Sequence, residues 1–211
     1  MKLTLKKAVA AIILVLSFAT PVVAGQFEDA VAAYGRGDYA TALRLIRPLA
    51  EQGDASAQYN LGTMFSYGQG VPQDYAEAMK WFRKSADQGK FDGEYYLGFF
   101  YAKGQGVTQD YAEANKWFRK SAAQGNLDAQ SILGFNYASG RGVSQNMVEA
   151  LKWSILAASQ TIASQNNPNA GTLRDAAAHN RDFFASKMSA NQIAEAQKLA
   201  REWKPTKQPP R

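Results

Sequence analysis

One block of residues recurs along this chain at a constant offset of 36 positions. The segment DYAEAMKWFRKSADQG begins at Asp74, and DYAEANKWFRKSAAQG begins at Asp110. More divergent copies begin at Asp38 and at Asn146, so the four copies keep the same spacing. A period of this length is typical of chains that stack one supersecondary unit repeatedly, because a single unit cannot bury its own apolar face. The chain therefore predicts a repeat architecture.

Each repeat predicts two helices separated by a glycine turn. The first helix begins after an N-cap residue, as at Asp54, and ends at a G-x-G turn, as at residues 68–70. The second begins at Asp74, and Glu77 three residues later predicts a capping box. The same pair recurs as Asp110 with Glu113 and as Asn146 with Glu149. The chain is therefore predicted to be all-α.

A glycine occupies the same position inside three of the first helices, as Gly62, Gly98 and Gly134. A glycine inside a helix costs about 1 kcal/mol relative to alanine, so its recurrence calls for a steric reason. We expect a neighbouring helix to pass where a side chain would otherwise lie. The small residues at the facing position would be Ala78, Ala114 and Ala150.

The repeated pattern AQYNLG, GQGVPQDYAEA and KWFRKSA resembles the Sel1-like repeat family, a relative of the tetratricopeptide repeat. The resemblance implies a right-handed α/α solenoid. It covers one short repeat at about 26–52 and three full repeats at about 53–88, 89–124 and 125–160. Solenoids end in atypical units that cover the last apolar face. We therefore expect a C-terminal helical cap over 161–203, with one helix from Thr172 to Lys187 and another opened by a Ser189–Gln192 capping box.

Both ends of the chain lie outside this predicted solenoid, which spans 25–203. Three lysines precede an apolar run from Ala8 to Ala19, and Val22, Val23 and Ala24 then offer a cleavage site, so residues 1–24 predict a signal peptide. The apolar run is shorter than the roughly 20 residues of a membrane span. We therefore expect no membrane span after cleavage and an exported protein, either periplasmic or secreted. Residues 204–211 contain three prolines and three basic residues and predict a disordered basic tail.

Composition excludes several kinds of chemistry. The net charge of +6 comes from the two ends, because residues 25–203 hold 18 basic and 18 acidic residues. No basic surplus remains there for phosphates, so we expect no nucleic-acid partner. The chain has no cysteine and one histidine, and we expect no metal and no cofactor. His179 lies one helical turn from Asp175 and Asp182, a pairing that is common on helix surfaces, and the sequence places no nucleophile beside it. We therefore expect no catalytic residue and no enzyme activity.

Two other repeated features have a structural and a functional interpretation. The G-x-G turns follow helices rather than strands, which favours a turn over a phosphate-binding loop. A tryptophan recurs as Trp81, Trp117 and Trp153. Packing between repeats is the favoured interpretation of these rings, and an aromatic ladder for glycan or peptide is the alternative.

Positions that differ between repeats are free to provide specificity. In relatives of this fold the first helices line a concave surface, and the residues at i, i+3 and i+7 of each would share one face. The candidate partner-binding residues are Asn60, Thr63, Tyr67, Tyr96, Phe99, Lys103, Ile132, Phe135 and Ser139. The alternative is that Phe99 and Phe135 are buried between repeats.

The preferred function is that of a non-catalytic, exported scaffold that binds a protein or peptide on its concave surface, in an adaptor or regulatory role in the cell envelope. The resemblance implies this role, because a fold alone does not determine function. Two alternatives remain open. One is an enzyme that acts on cell wall or β-lactams, and the other is a module that binds peptidoglycan or another glycan.

Overall fold

The computed structural model describes residues 20–159 and 170–206, and all regular secondary structure within these ranges is helical. The helices are α1 (Thr20–Gly35), α2 (Tyr39–Glu51), α3 (Ala55–Tyr67), α4 (Tyr75–Asp87), α5 (Phe91–Lys103), α6 (Tyr111–Ala123), α7 (Leu127–Ser139), α8 (Met147–Ser159), α9 (Ala170–Ala185) and α10 (Ala190–Glu202). The chain divides into two compact units, residues 1–74 and residues 75–211, which are described separately. The all-α prediction is confirmed.

The first unit contains α1, α2 and α3, and each helix packs against the next along the chain. Asp38 and Asp54 cap α2 and α3, because their carboxylates accept hydrogen bonds from the backbone N–H groups of Thr41 and Ala57 at 3.1 and 2.7 Å. The predicted cap at Asp54 is therefore confirmed. Helix α1 begins at Thr20, so the last residues of the predicted signal peptide are helical, and the segment 1–19 lies outside the described residues.

The second unit stacks α4 to α8 in sequence order, and α9 and α10 both pack against α8. Its interior includes at least one large, almost fully buried apolar residue from each of these five stacked helices. The buried residues are Phe82, Leu97, Phe118, Leu133 and Leu151, each at most 1% exposed. This repetition is the expected consequence of stacking, because each repeat buries the apolar side of its neighbour.

Two of the three recurring helical glycines, Gly98 and Gly134, mark close helix crossings, as predicted. A Cβ atom placed on Gly98 would lie 2.8 Å from Cδ1 of Phe118 and 3.0 Å from the carbonyl oxygen of Ala114. On Gly134 it would lie 2.8 Å from Oγ of Ser154 and 3.4 Å from the carbonyl oxygen of Ala150. The alanines are therefore the small counterparts of these two glycines, and α5 and α7 approach their following helices at glycine.

The G-x-G segments are turns. Gly104 ends α5 in the left-handed conformation, with φ of +69°, and its N–H donates to the carbonyl of Phe100. Gly106 also has a positive φ of +70°, and a Cβ atom there would lie 2.7 Å from the carbonyl oxygen of Tyr75 in α4. The second glycine of the turn therefore lets the loop approach the preceding second helix.

The predicted capping boxes are only half correct. Asp110 accepts a hydrogen bond from the N–H of Glu113 at 2.9 Å, as expected of an N-cap. The Glu113 carboxylate, however, accepts from Nζ of Lys116 at 2.7 Å and from Nε1 of Trp117 at 3.0 Å. A reciprocal capping box is present at Ser189 and Gln192, at the start of α10.

The C-terminal helices differ slightly from their predicted limits. Helix α9 covers 170–185 rather than 172–187, and the predicted loop lies largely in the segment 160–169, outside the described residues. Trp203 follows α10 and packs on the cluster that contains Phe118 and Leu133. The backbone N–H of Thr206 donates to the carbonyl of Ala123 at 2.8 Å, so the tail is held against the end of α6 as far as Thr206. Residues 207–211 of the predicted disordered tail lie outside the described residues.

Candidate functional site

Six of the nine predicted site residues lie on α5 and α7, the first helices of two successive repeats in the second unit. At intervals of three and four, each trio follows one side of its helix. We call this set the first-helix face, and its members are Tyr96, Phe99, Lys103, Ile132, Phe135 and Ser139.

Phe135 is the most exposed aromatic residue of this face, with 47% of its surface accessible. The guanidinium carbon of Arg141 lies 5.2 Å from the centre of its ring, within the range of a cation–π contact. Sequence reasoning missed Arg141, although a signal was available. Its loop reads GRGV where the two preceding loops read GQGV, so this loop alone carries a charge at that position.

Phe99 occupies the equivalent position in the preceding repeat and is half-buried. It packs on the core cluster, and its ring lies 6.5 Å from the ring of Tyr95. The ammonium of the exposed Lys103 lies 5.7 Å from the centre of the Phe99 ring. A basic group therefore lies beside the aromatic ring in both repeats.

The remaining residues of the face differ in exposure. Tyr96 is half-buried because its ring stacks on Phe82, with 5.0 Å between the ring centres. Ile132 is half-buried against the core cluster. Ser139 is exposed, and its hydroxyl donates to the carbonyl of Phe135 at 2.9 Å. The face therefore has an aromatic and aliphatic middle with a polar, basic end.

The opposite end of the face carries carboxylates at the starts of the same two helices. Burial raises the pKa of Asp92, the neighbouring Asp128 adds to the rise, and Lys90 opposes it from 3.7 Å. Asp92 and Asp128 occupy equivalent positions 36 residues apart, so the first turns of α5 and α7 each carry a carboxylate at the same position of the repeat.

The other three predicted residues lie on α3, in the first unit. Asn60 donates to the carbonyl of Ser56 at 2.9 Å, Thr63 donates to the carbonyl of Tyr59 at 3.1 Å, and Tyr67 is 60% exposed. Asn60 also lines a small pocket between the helices of this unit. The other lining residues are Ala30, Val31, Tyr34, Ala42, Ile46 and Met64.

The recurring tryptophans are packing residues. Trp81, Trp117 and Trp153 are 8%, 6% and 6% exposed. A ring that stacks on a sugar has to present a face to solvent, and these rings are covered by protein. The ammonium of Lys84 lies 4.0 Å from the centre of the Trp81 ring. Lys120 lies at the same distance from the Trp117 ring.

The remaining chemical groups form no site in the part of the chain that the structure describes. His179 is exposed on α9 near the carboxylate of Asp182, which itself pairs with Arg181 at 2.8 Å. Within residues 20–159 and 170–206, no group of three or more histidine, aspartate or glutamate residues could hold a metal ion. None of the described helices combines the length and the apolar character that a membrane crossing needs.

Comparison with known proteins gives a consistent result. The model of the Sel1 repeat matches residues 55–90, 92–126 and 127–161, one to three residues later than the predicted repeat boundaries. One similar solved structure is a protective antigen of uropathogenic Escherichia coli that displays an SLR fold, 30% identical with a TM-score of 0.70. The match covers 86% of this chain but 37% of that protein. A Sel1 repeat protein from Oxalobacter formigenes is 26% identical, with a TM-score of 0.62 and 83% of each chain covered. The search of curated proteins found no match.

Proposed function

The chain belongs to the Sel1 repeat family, and on that premise we propose that it is an exported, non-catalytic scaffold that holds a protein or peptide partner on its first-helix face. Sel1 repeats are in general protein-interaction scaffolds, and this supports a protein partner. The adaptor or regulatory role, the envelope location and the surface used are the finer parts of the proposal.

The observation that carries the proposal is the exposure of Phe135. A large aromatic residue costs free energy when it faces water, and an exposed ring beside other apolar residues is typical of a surface that a partner covers. Phe99 and Ile132 belong to the same face, and both pack on the core cluster. Aromatic residues with basic neighbours are also the residue types that dominate binding energy at protein interfaces.

The charges of the face indicate the chemistry of the partner. Lys103 and Arg141 lie beside Phe99 and Phe135 and have ring contacts longer than 5 Å. A carboxylate of the partner could therefore reach either cation while an apolar side chain of the partner covers the ring. We infer that the partner segment carries aromatic or aliphatic residues with acidic residues next to them.

The proposal of export is supported by the first 24 residues, because their charge and apolar pattern is typical of a signal peptide. The test is N-terminal sequencing of the protein extracted from the cell envelope. A chain that begins at Gly25 supports export with cleavage. An intact Met1 on membrane-bound protein contradicts cleavage and indicates an anchored protein instead.

The partner surface can be tested by photo-crosslinking in the native cells. A photoreactive phenylalanine analogue replaces Phe135 in one variant and the exposed Lys116 of α6 in a matched control. We expect a discrete crosslinked protein from position 135 that is absent from position 116. Equal crosslinking from both positions, or a partner found only from position 116, would move the binding surface to the second helices.

The alternative of a glycan-binding module loses its main support, because it depended on the ring faces of Trp81, Trp117 and Trp153, which are buried. The enzyme alternative can be tested directly with nitrocefin, a chromogenic β-lactam. Hydrolysis above the background of a heat-denatured sample would contradict a purely non-catalytic scaffold.

A further inference from the structure

One buried position of the repeat carries an amide in two copies and a carboxyl in the third. The residues are Gln58, Glu94 and Gln130, each 36 positions apart. The amide of Gln58 donates to the carbonyl of Ala50 at 3.1 Å, and the amide of Gln130 donates to the carbonyl of Ala122 at 3.1 Å. Each bond reaches back eight residues and joins a first helix to the preceding second helix. By the same offset of eight residues, the carbonyl at the corresponding position for Glu94 is that of Ala86 in α4.

A carboxylate cannot make this bond, because an ionised glutamate has acceptors only. A protonated glutamate has one O–H donor and can replace the glutamine amide at this position. The side chain of Glu94 has little access to water that could compensate, since the residue is 4% exposed. The protonation state of Glu94 therefore decides whether the bond between α5 and α4 can form.

The side-chain amide of Gln124 lies next to Glu94 and shares its buried environment. Nε2 of Gln124 donates to Oε2 of Glu94 at 2.8 Å and to the carbonyl of Gly89 at 3.0 Å. The oxygen of that amide, Oε1 of Gln124, is buried and has no hydrogen-bond partner. The Gln124 amide can donate to Oε2 of Glu94 in either protonation state of the carboxyl, so this bond does not require the charge.

The charged groups near Glu94 stabilise its ionised form only weakly. Lys120 of α6 is the cation that favours the ionised form, but it is exposed to solvent and lies over the ring of Trp117. At the start of α5, Lys90 is paired with Asp92. Burial dominates these effects and raises the pKa of Glu94 to about 7.

We propose that Glu94 makes the junction of α4, α5 and α6 sensitive to pH. With the proton bound, the carboxyl donates to the Ala86 carbonyl and closes the junction as the glutamines do in the other repeats. Without the proton, a charge is buried there and the bond is lost, so the junction opens more readily. This device does not depend on the partner-binding function proposed above.

The sign of the effect follows from the two protonation equilibria. In the unfolded chain a glutamate titrates near its ordinary value of about 4.3, whereas the folded protein holds the proton to about pH 7. The folded state therefore binds more protons between these values, so stability falls as pH rises through this window and is level above it. Over the whole window the unfolding equilibrium constant should rise by roughly a few hundred-fold because of this residue.

The experiment compares urea unfolding of the wild type and of Glu94→Gln between pH 5 and pH 8.5. The glutamine donates at every pH, so we expect the pH dependence of the wild type to be largely lost in this variant and the variant to be more stable at pH 8. Glu195→Gln, at an exposed position of α10, is the matched control and should keep the wild-type profile. Identical pH profiles for the wild type and Glu94→Gln would overturn the proposal.

The reciprocal variant tests the mechanism at a second repeat. Gln130→Glu places a carboxyl opposite the Ala122 carbonyl, and we expect it to add a second loss of stability as pH rises. Amide hydrogen exchange locates each effect. Peptides covering 86–96 should exchange faster at pH 8 than the intrinsic rate change explains in the wild type, and those covering 122–132 should do so only in Gln130→Glu. An unchanged profile in Gln130→Glu would show that the position does not control the junction.

Discussion

The ring of Phe118 covers Gly98, so that a single methyl group on this glycine would lie 2.8 Å from Cδ1 and 2.9 Å from Cε1 of the ring. Phe118 is 1% exposed and lies in the core cluster, so its ring can give way only by displacing its neighbours. The contact between α5 and α6 therefore depends on the absence of a side chain at position 98.

Gly98→Ala should destabilise the protein by about 1–3 kcal/mol, because crowding of Phe118 outweighs the helix-propensity gain of about 1 kcal/mol. The measurement is urea unfolding followed by circular dichroism. Gly35→Ala is the matched control, since this helical glycine has no atom within 4 Å of the added methyl group and should be neutral or slightly stabilising. Equal effects of the two substitutions would contradict the close crossing.

Gly106→Ala tests the second glycine of the turn. Two effects would destabilise the alanine variant: the backbone strain of a positive φ of +70°, and a steric clash with the carbonyl of Tyr75 at 2.7 Å. We expect a loss of about 2–4 kcal/mol. Gly125→Ala has a positive φ of +93° but its nearest contact is Trp203 at 4.0 Å, so it should lose only about 1–2 kcal/mol. If Gly125→Ala costs as much as Gly106→Ala, backbone conformation alone explains both glycines.

The buried amides of Asn115 and Asn136 form a chain of hydrogen bonds that sequence reasoning did not predict. Asn136 donates to Oδ1 of Asn115 at 2.7 Å, and Asn115 donates to the carbonyl of Arg141 at 2.7 Å. We expect Asn136→Leu to cost about 1–3 kcal/mol, because it leaves the Asn115 oxygen without its donor. Asn115→Leu, which introduces the residue type found at Leu151 in the next repeat, should show a coupling of about 1–2 kcal/mol with it in a double-mutant cycle. Additive losses in the cycle would mean that the two amides act independently.

The helices, the turns and the glycine crossings could be predicted because each rests on a local rule that the repeat displays several times. The hydrogen-bond partners of Glu113 could not be predicted, because its side chain can reach the backbone, Lys116 or Trp117 and the sequence does not show which of them it contacts. The exposure of the aromatic residues also depends on neighbours. Phe99 has Tyr95 beside it, whereas the equivalent neighbour of Phe135 is Ser131, which leaves the second ring open to solvent.

The difference in exposure between Phe99 and Phe135 allows effects on partner binding to be distinguished from effects on stability. Phe135 is 47% exposed, so Phe135→Ala should change the free energy of unfolding by less than about 0.5 kcal/mol. Phe99 packs on the core cluster, so Phe99→Ala should cost about 1–3 kcal/mol in addition to any effect on binding. The two substitutions therefore differ in what they report.

The affinity for the partner should depend on the exposed ring of Phe135. Once the partner is isolated by crosslinking from position 135, its affinity is measured for the wild type, Phe135→Ala and Arg141→Gln. We expect Phe135→Ala to raise Kd about 30-fold, as truncation of an aromatic anchor costs about 2 kcal/mol, with the melting temperature unchanged. Arg141→Gln restores the residue of the other two loops and should raise Kd less, with an effect that shrinks at high salt. Unchanged Kd in Phe135→Ala would place the binding site elsewhere, and a lower melting temperature would show that this ring stabilises the fold.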